Sequence, residues 1–172
     1  MTKEIVVRPA AHGDINAIVA VLRANQADPS LFQRSAADIE AILADYHVAE
    51  RASVILGCAG LHFYPDRSAE LHSVAVLPET QGQSVGHALV QACVQSAAAA
   101  QLHKVWLATL KPEYFARFGF VPFSRWQIPL RFMFPKIKSV FAQPPDRWLP
   151  AFFGSYTFMV LRLSGEVKQG TP

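Results

Sequence analysis

Cysteine is nearly absent. Cys58 and Cys93 are the only two in 172 residues, and both fall in segments that read as strand or helix interior. Two small buried thiols are therefore expected rather than a disulfide framework. The six histidines are scattered and no Cys/His cluster has ligand spacing, so no metal site is expected. Long apolar runs are missing too: none approaches the ~20 residues of a membrane span. The opening "MTKEIVVRPA" lacks the ~7–15-residue apolar core of a signal peptide. These absences point to a reducing cytoplasm. Charged residues are also few, at 17%, against 51% hydrophobic, which excludes a disordered chain and suits one domain, 1–172, with its own core.

The net charge of +3 is unevenly placed. Residues 111–172 carry nine Lys/Arg against three acids, whereas 1–110 carry seven against ten. An anionic partner would be sought in the C-terminal third. Within it, five of the twelve prolines stand between Trp126 and Ser155, among Arg125, Arg131, Lys136, Lys138, Arg147 and several aromatics. This reads as a basic-aromatic insertion at about 127–155. Nucleic acid, an anionic membrane surface or a lid over acidic ligands would each use such a set. The favoured reading is that its aromatics pack on the body or on a second copy. No nucleic-acid partner is expected, and a homodimer stays open.

Hydrophobic periodicity sets the order of elements. "EIVVRPA" reads as a strand. Asp14 then caps a helix that spaces Ile15, Ile18, Val19 and Leu22 along one face. "SAADIEAILADY" is a second helix, opened by the S-x-x-D box of Ser35 and Asp38. "YHVAER", "SVILGCAGLHFY" and "AELHSVAVL" are three strands, the last stopped by Pro78. A helix over about 85–100, the strand "KVWLATL" and the short helix "PEYFARFG" follow; "FVPFSRW" and "YTFMVLRL" are the last strands. This order mixes antiparallel neighbours with one β-α-β crossover, which gives an α+β fold on one mixed sheet flanked by helices.

Between the fourth strand and its following helix lies "PETQGQSVG". A helix start exposes unpaired N–H groups and a partial positive charge, and glycine lets a bulky anion approach. The turn thus suggests a diphosphate site; the alternative is an ordinary strand–helix turn. A nucleoside-triphosphate loop is excluded, because His87-Ala88 stand where Lys and Ser/Thr would be. The dinucleotide fingerprint is missing as well.

"AELHSVAVLPETQGQSVGHALV" followed by "KVWLATLKPEYFARFGF" resembles the GCN5-related N-acetyltransferases over roughly 5–123, resuming at 156–163. "LFQRSAADIEAILADYHVAE" and "ILGCAGLHFY" further resemble the acetyltransferase domain of N-acetylglutamate synthases and their short stand-alone relatives. The resemblance implies a mostly antiparallel sheet splayed between strands 4 and 5. It implies acetyl-CoA as coenzyme, transfer of its acetyl group by direct attack on the thioester, and a small-molecule amine as acceptor, such as an amino acid. Two departures stand out: Ser84 replaces the first glycine of the motif, and Phe115 takes the place of a frequent tyrosine acid.

Residue by residue, the resemblance places the diphosphate on the backbone of Gln81, Gly82, Gln83, Ser84, Val85, Gly86 and His87. Val74, Ala75 and Val76 would hold the pantetheine and acetyl group, beside a bulge that aims an N–H at the thioester carbonyl, with Phe115 at the coenzyme's flank. Glu70 is the expected general base and His72 the second candidate. Alternation puts both on one strand face with Val74 and Val76, subject to the parity change a bulge brings. Tyr114 is the remaining candidate acid, although one helical step turns it ~100° from position 115. Arg34 would clamp an acceptor carboxylate. Leu110 stands where the synthases carry a second arginine, with Lys111 next to it. Two competing readings are a protein N-terminal or lysine acetyltransferase and a catalytically quiet acyl-CoA-binding or partner-binding module.

Overall fold

A computed structural model describes residues 4–29, 31–124 and 156–163. The basic-aromatic insertion lies outside them. Seven strands form one sheet: β1 Val6–Pro9, β2 Tyr46–Arg51, β3 Val54–Tyr64, β4 Ser68–Val76, β5 Lys104–Thr109, β6 Val121–Pro122 and β7 Thr157–Arg162. Their order is β1-β2-β3-β4-β5-β7-β6. Every pairing is antiparallel except β4 with β5. The crossover helix α3, Val85–Ala99, makes that parallel pair possible.

Helix α1 (Ile15–Ala24) buries Ile15, Ile18, Val21 and Leu22, the stripe its spacing predicts. Asp14 precedes it but does not cap it. Its carboxylate accepts instead from Arg8 Nη1 at 2.7 Å and from the Ala11 N–H at 2.7 Å. Helix α2 is shorter than expected, Ala36–Ala41, and a 3₁₀ turn over Leu43–Asp45 replaces its second half. The capping box is present: Ser35 Oγ accepts from the Asp38 N–H at 3.2 Å, and Asp38 returns a bond to the Ser35 N–H at 2.8 Å. Helix α4 spans Pro112–Ala116. Of the strand expected over 120–126, the described residues form strand at Val121–Pro122.

Among the described residues the two larger hydrophobic clusters flank the sheet, and a small third gathers Trp106 and Val160. On one face α3 packs Val85, Leu89, Val90 and Cys93 against Leu56, Leu61, Ala69, Leu71 and Leu107. On the other, α1 and Ile39 of α2 cover Tyr46, Val48, Cys58 and Ala75. Both cysteines are free and buried, and burial pushes each thiol up to about 12. Among the described residues no helix is long and apolar enough to cross a membrane.

Candidate active site

Strands β4 and β5 pair only at Ser68–Lys104, Ala69–Val105 and Glu70–Trp106. Beyond Glu70 they part. The gap is a cleft of 470 Å³ walled by the second half of β4, the end of β5, the turn after β4 and the start of α4.

The turn opens with a 3₁₀ segment, Pro78–Thr80. Gly82 follows at φ +77° and Ser84 at φ +64°. The N–H groups of Gln81 and Gln83 are spent within the turn, on the carbonyls of Pro78 and Thr80 at 3.3 Å each. Those of Gly82, Ser84, Val85, Gly86 and His87 have no acceptor among the described residues. All five of these residues line the cleft. They stand at the positive end of a 15-residue helix. This donor set fits a diphosphate. A Cβ on Gly82 would touch nothing within 4 Å, so what glycine supplies there is its left-handed backbone. Gln83, between Gly82 and Ser84, is not on the cleft lining; its Oε1 accepts from Arg51 Nη1 at 2.9 Å.

The register of β3 on β4 slips between Cys58 and Gly60. Cys58 faces Ala75 and Gly60 faces His72, so Ser73 and Val74 together oppose Ala59 in a bulge. Ser73 sits at φ +52°, a conformation that costs a non-glycine residue ~1–2 kcal/mol. Its hydroxyl accepts from Tyr46 OH at 3.2 Å and bonds His72 Nδ1 at 3.0 Å. At ~0.5–1.5 kcal/mol each, two such bonds roughly offset the strain.

The bulge also changes which residues share a face. Ala69 and Leu71 before it and Val74 and Val76 after it join the α3 core, while Ala75 joins the opposite one. Glu70 and His72 therefore lie on the face away from Val74 and Val76, which corrects the simple alternation. The His72 ring lies over Gly60, where any Cβ would collide with it. It meets the Tyr46 ring edge-on at 5.6 Å. Tyr46 is fully buried. Burial pushes its hydroxyl up to about 12, opposed in part by the Arg34 charge nearby. The Arg34 Nε is itself buried, with no hydrogen-bond partner among the described residues.

Glu70 is buried and accepts from Tyr64 OH at 2.9 Å. Tyr64 stacks on Trp106 and contacts the edge of His62, whose Nδ1 lies 2.7 Å from Asp45 Oδ2. Burial, and then the Glu70 charge, hold the Tyr64 phenol far above its ordinary range. Tyr114 lines the cleft with its hydroxyl against Gly86, over the first turn of α3, and burial raises its phenol. Phe115 is buried at the cleft's edge. Lys111 and Asp28 both line the cleft and form an ion pair at 2.8 Å.

The cleft thus gathers His72, Val74, Ala75, Val76, Gln81, Gly82, Ser84, Val85, Gly86, His87, Tyr114 and Phe115. Glu70, Gln83 and Arg34 are not on its lining. Sequence reasoning passed over Ser73, Tyr46, Gly60 and the Asp28–Lys111 pair. Gly60, inside a strand, was the one legible hint of a close approach. Asn25 was missed as well; its Nδ2 donates to the Val76 carbonyl at 3.0 Å and ties α1 to the end of β4.

The profile of the acetyltransferase (GNAT) family matches residues 16–120. An amino-acid acetyltransferase of Mycobacterium tuberculosis is 32% identical over 118 residues, covering 67% of each chain. That of Actinobacillus pleuropneumoniae is 30% identical over 67% of this chain, which spans only 27% of its length. The crystal structure of Mycobacterium tuberculosis Rv2747, solved in complex with CoA, superposes with a TM-score of 0.73 at 25% identity, over 92% of this chain and 99% of that one. N-acetylglutamate synthase from Neisseria gonorrhoeae shares the fold at a TM-score of 0.73 and 23% identity, over 95% of this chain and 36% of its own. With the splayed sheet and the amide-lined turn, these matches establish that the chain belongs to the GNAT family of acetyltransferases.

Proposed function

We propose that this acetyltransferase moves the acetyl group of acetyl-CoA onto the amine of a free amino acid, with glutamate among the candidates. The observation that carries the reading is the set of five cleft-lining N–H groups from Gly82 to His87, next to the gap between β4 and β5. There the coenzyme's diphosphate is held by backbone donors. Val74, Ala75 and Val76 lie along the path its pantetheine arm would take to the bulge. Bound acetyl-CoA supplies a thioester carbonyl open to attack. This chain's part is to orient it, receive the amine and manage its protons.

Arg34 is the proposed carboxylate clamp, with a buried Nε that has no hydrogen-bond partner among the described residues and a charge close enough to act on Tyr46. The amino-acid acetyltransferases it resembles support that acceptor class. Lys111, paired with Asp28 at the cleft, stands beside the missing second arginine and makes glutamate one candidate among several. Of the two candidate bases, His72 lines the cleft, whereas Glu70 sits beneath Tyr64.

Thiol release from acetyl-CoA over a panel of free amino acids and short peptides tests the reading. Release with an amino acid and none with peptide amines is expected. Arg34→Ala should raise the acceptor's KM about tenfold or more with kcat little changed. Release only with peptides would assign a protein acetyltransferase, and binding without release under any acceptor would leave a quiet acyl-CoA-binding module. The two protein thiols, buried and held near 12, will not contribute to the signal.

A further inference from the structure

We infer that the Asp28–Lys111 ion pair sets the charge of the acceptor this cleft takes, favouring an amino acid with an uncharged side chain over its acidic counterpart. The inference rests on the proposed function and narrows its acceptor class. Asp28 stands between α1 and α2, and Lys111 between β5 and α4. Helix α1 packs over residues of β2, β3 and β4, so the pair crosses the gap where β4 and β5 part. A second contact makes the same crossing. Tyr156 OH, at the entry to β7, donates to the Pro29 carbonyl at 3.1 Å, and β7 is the sheet neighbour of β5. The segment after α1 is thus tied at two adjacent residues to the strands beyond the gap. Both partners of the pair also have fixed backbones. The Asp28 N–H donates to the Asn25 carbonyl at 2.9 Å, and the Asp28 carbonyl accepts from the Leu31 N–H at 3.2 Å. The Lys111 N–H donates to the Thr109 hydroxyl at 2.9 Å, and its carbonyl accepts from the Tyr114 N–H at 3.1 Å. The two charges are therefore held at the cleft before any acceptor arrives.

Arg34, the proposed clamp for the acceptor's α-carboxylate, lies at the far end of the same α1–α2 segment, six residues after Asp28. Leu31, Leu71 and Leu107 line the cleft with the pair and offer an apolar wall to a side chain's methylenes. What lies at the end of that side chain decides the outcome. A carboxylate bonded to Lys111 Nζ comes beside Asp28, whose Oδ2 is 2.8 Å from the same nitrogen. Asp28 is the more buried partner, its side chain 20% exposed against 65% for Lys111, so water screens the Asp28 charge less. Repulsion between the two carboxylates then offsets what Lys111 provides, which turns the pair against acidic side chains. An amide accepts from Lys111 or donates to Asp28 and leaves the pair neutral.

Initial rates with glutamate against glutamine, and with aspartate against asparagine, test it as ratios of kcat/KM between near-isosteric acceptors. In the wild-type chain the amide should be preferred about tenfold or more. Asp28→Asn removes the repulsion and releases Lys111 from its carboxylate partner. It should move the ratio about tenfold toward the acid, through the acid's KM, and Asp28→Glu should restore the wild-type preference. Lys111→Gln leaves the Asp28 charge in place and should move the ratio further toward the amide. The opposite signs separate a charge role from a latch, because each substitution breaks the pair and a latch would respond alike to both. A wild-type chain that prefers the acid, or shifts of the same sign in Asp28→Asn and Lys111→Gln, would overturn the inference. Turnover of free amino acids with a ratio unmoved by either variant would overturn it alone and leave the proposed function standing. Thiol release with no free amino acid would end both.

Discussion

Ser84 and Ser73 both hold a backbone angle that glycine would adopt without strain, and they differ in what the side chain does. Ser73 has two hydroxyl contacts. Ser84, the residue before α3, makes no side-chain cap bond. Ser84→Gly should therefore raise stability by about 0.5–1 kcal/mol, the left-handed strain outweighing the added freedom of the unfolded chain. It should also tighten acetyl-CoA binding about twofold or more, because the turn's N–H groups would be held with less strain. Denaturant unfolding and calorimetric titration of the variant check both signs. The motif around Ser84 was legible as a departure from a glycine. Ser73 was not, since nothing in "LHSVAV" marks a positive φ; it follows from a register slip that only the paired strands reveal.

Among the described residues, the four α-helices and seven strands were legible in order, because helical and strand periods alternate along the chain. Their ends were not. Asp14 had the composition of a cap but is claimed by Arg8, an interaction set by how β1 lies against the helix start. Helix α3 and strand β2 meet through a polar contact the sequence also concealed. His47 Nε2 lies 3.2 Å from Ser96 Oγ, with Cys93 beyond Nδ1. Burial lowers the His47 pKa, against a smaller opposing effect of the Asp45 backbone. The fold thus holds this imidazole neutral, while the unfolded chain takes up a proton near ~6.5. Stability from this contact is full above that pH and falls as pH drops through the window below it. Denaturant unfolding from pH 8 to pH 5 should show that slope, and His47→Gln should flatten it. An equal slope in the variant would assign the loss to other groups.

At the scale of the whole molecule, one sheet presents two separate sets of groups. The α3 face and the turn at its helix start present the amide donors, while the opposite face carries His72, Tyr46, Glu70 and Tyr64. The bulge at Ser73–Val74 is where β4 passes residues from one to the other, and the gap beyond Glu70 is where the two could meet. The splay was expected from the family resemblance that the motifs carry, and an anion site at the turn from its glycines before a helix start. The division of His72 from Val74 and Val76 was not, because one inserted residue inverts a strand's parity. The proposed single domain with its basic-aromatic insertion at 127–155 would place that insertion's charges between β6 and β7 in the chain.

The proposed grip of the turn on a coenzyme diphosphate can be read amide by amide, by titrating nitrogen-15-labelled protein with coenzyme A. The resonances of Gly82, Ser84, Val85, Gly86 and His87 should move together and saturably, with those of Gln81 and Gln83, already bonded within the turn, moving less. Saturable binding that leaves the first five unmoved would contradict the account.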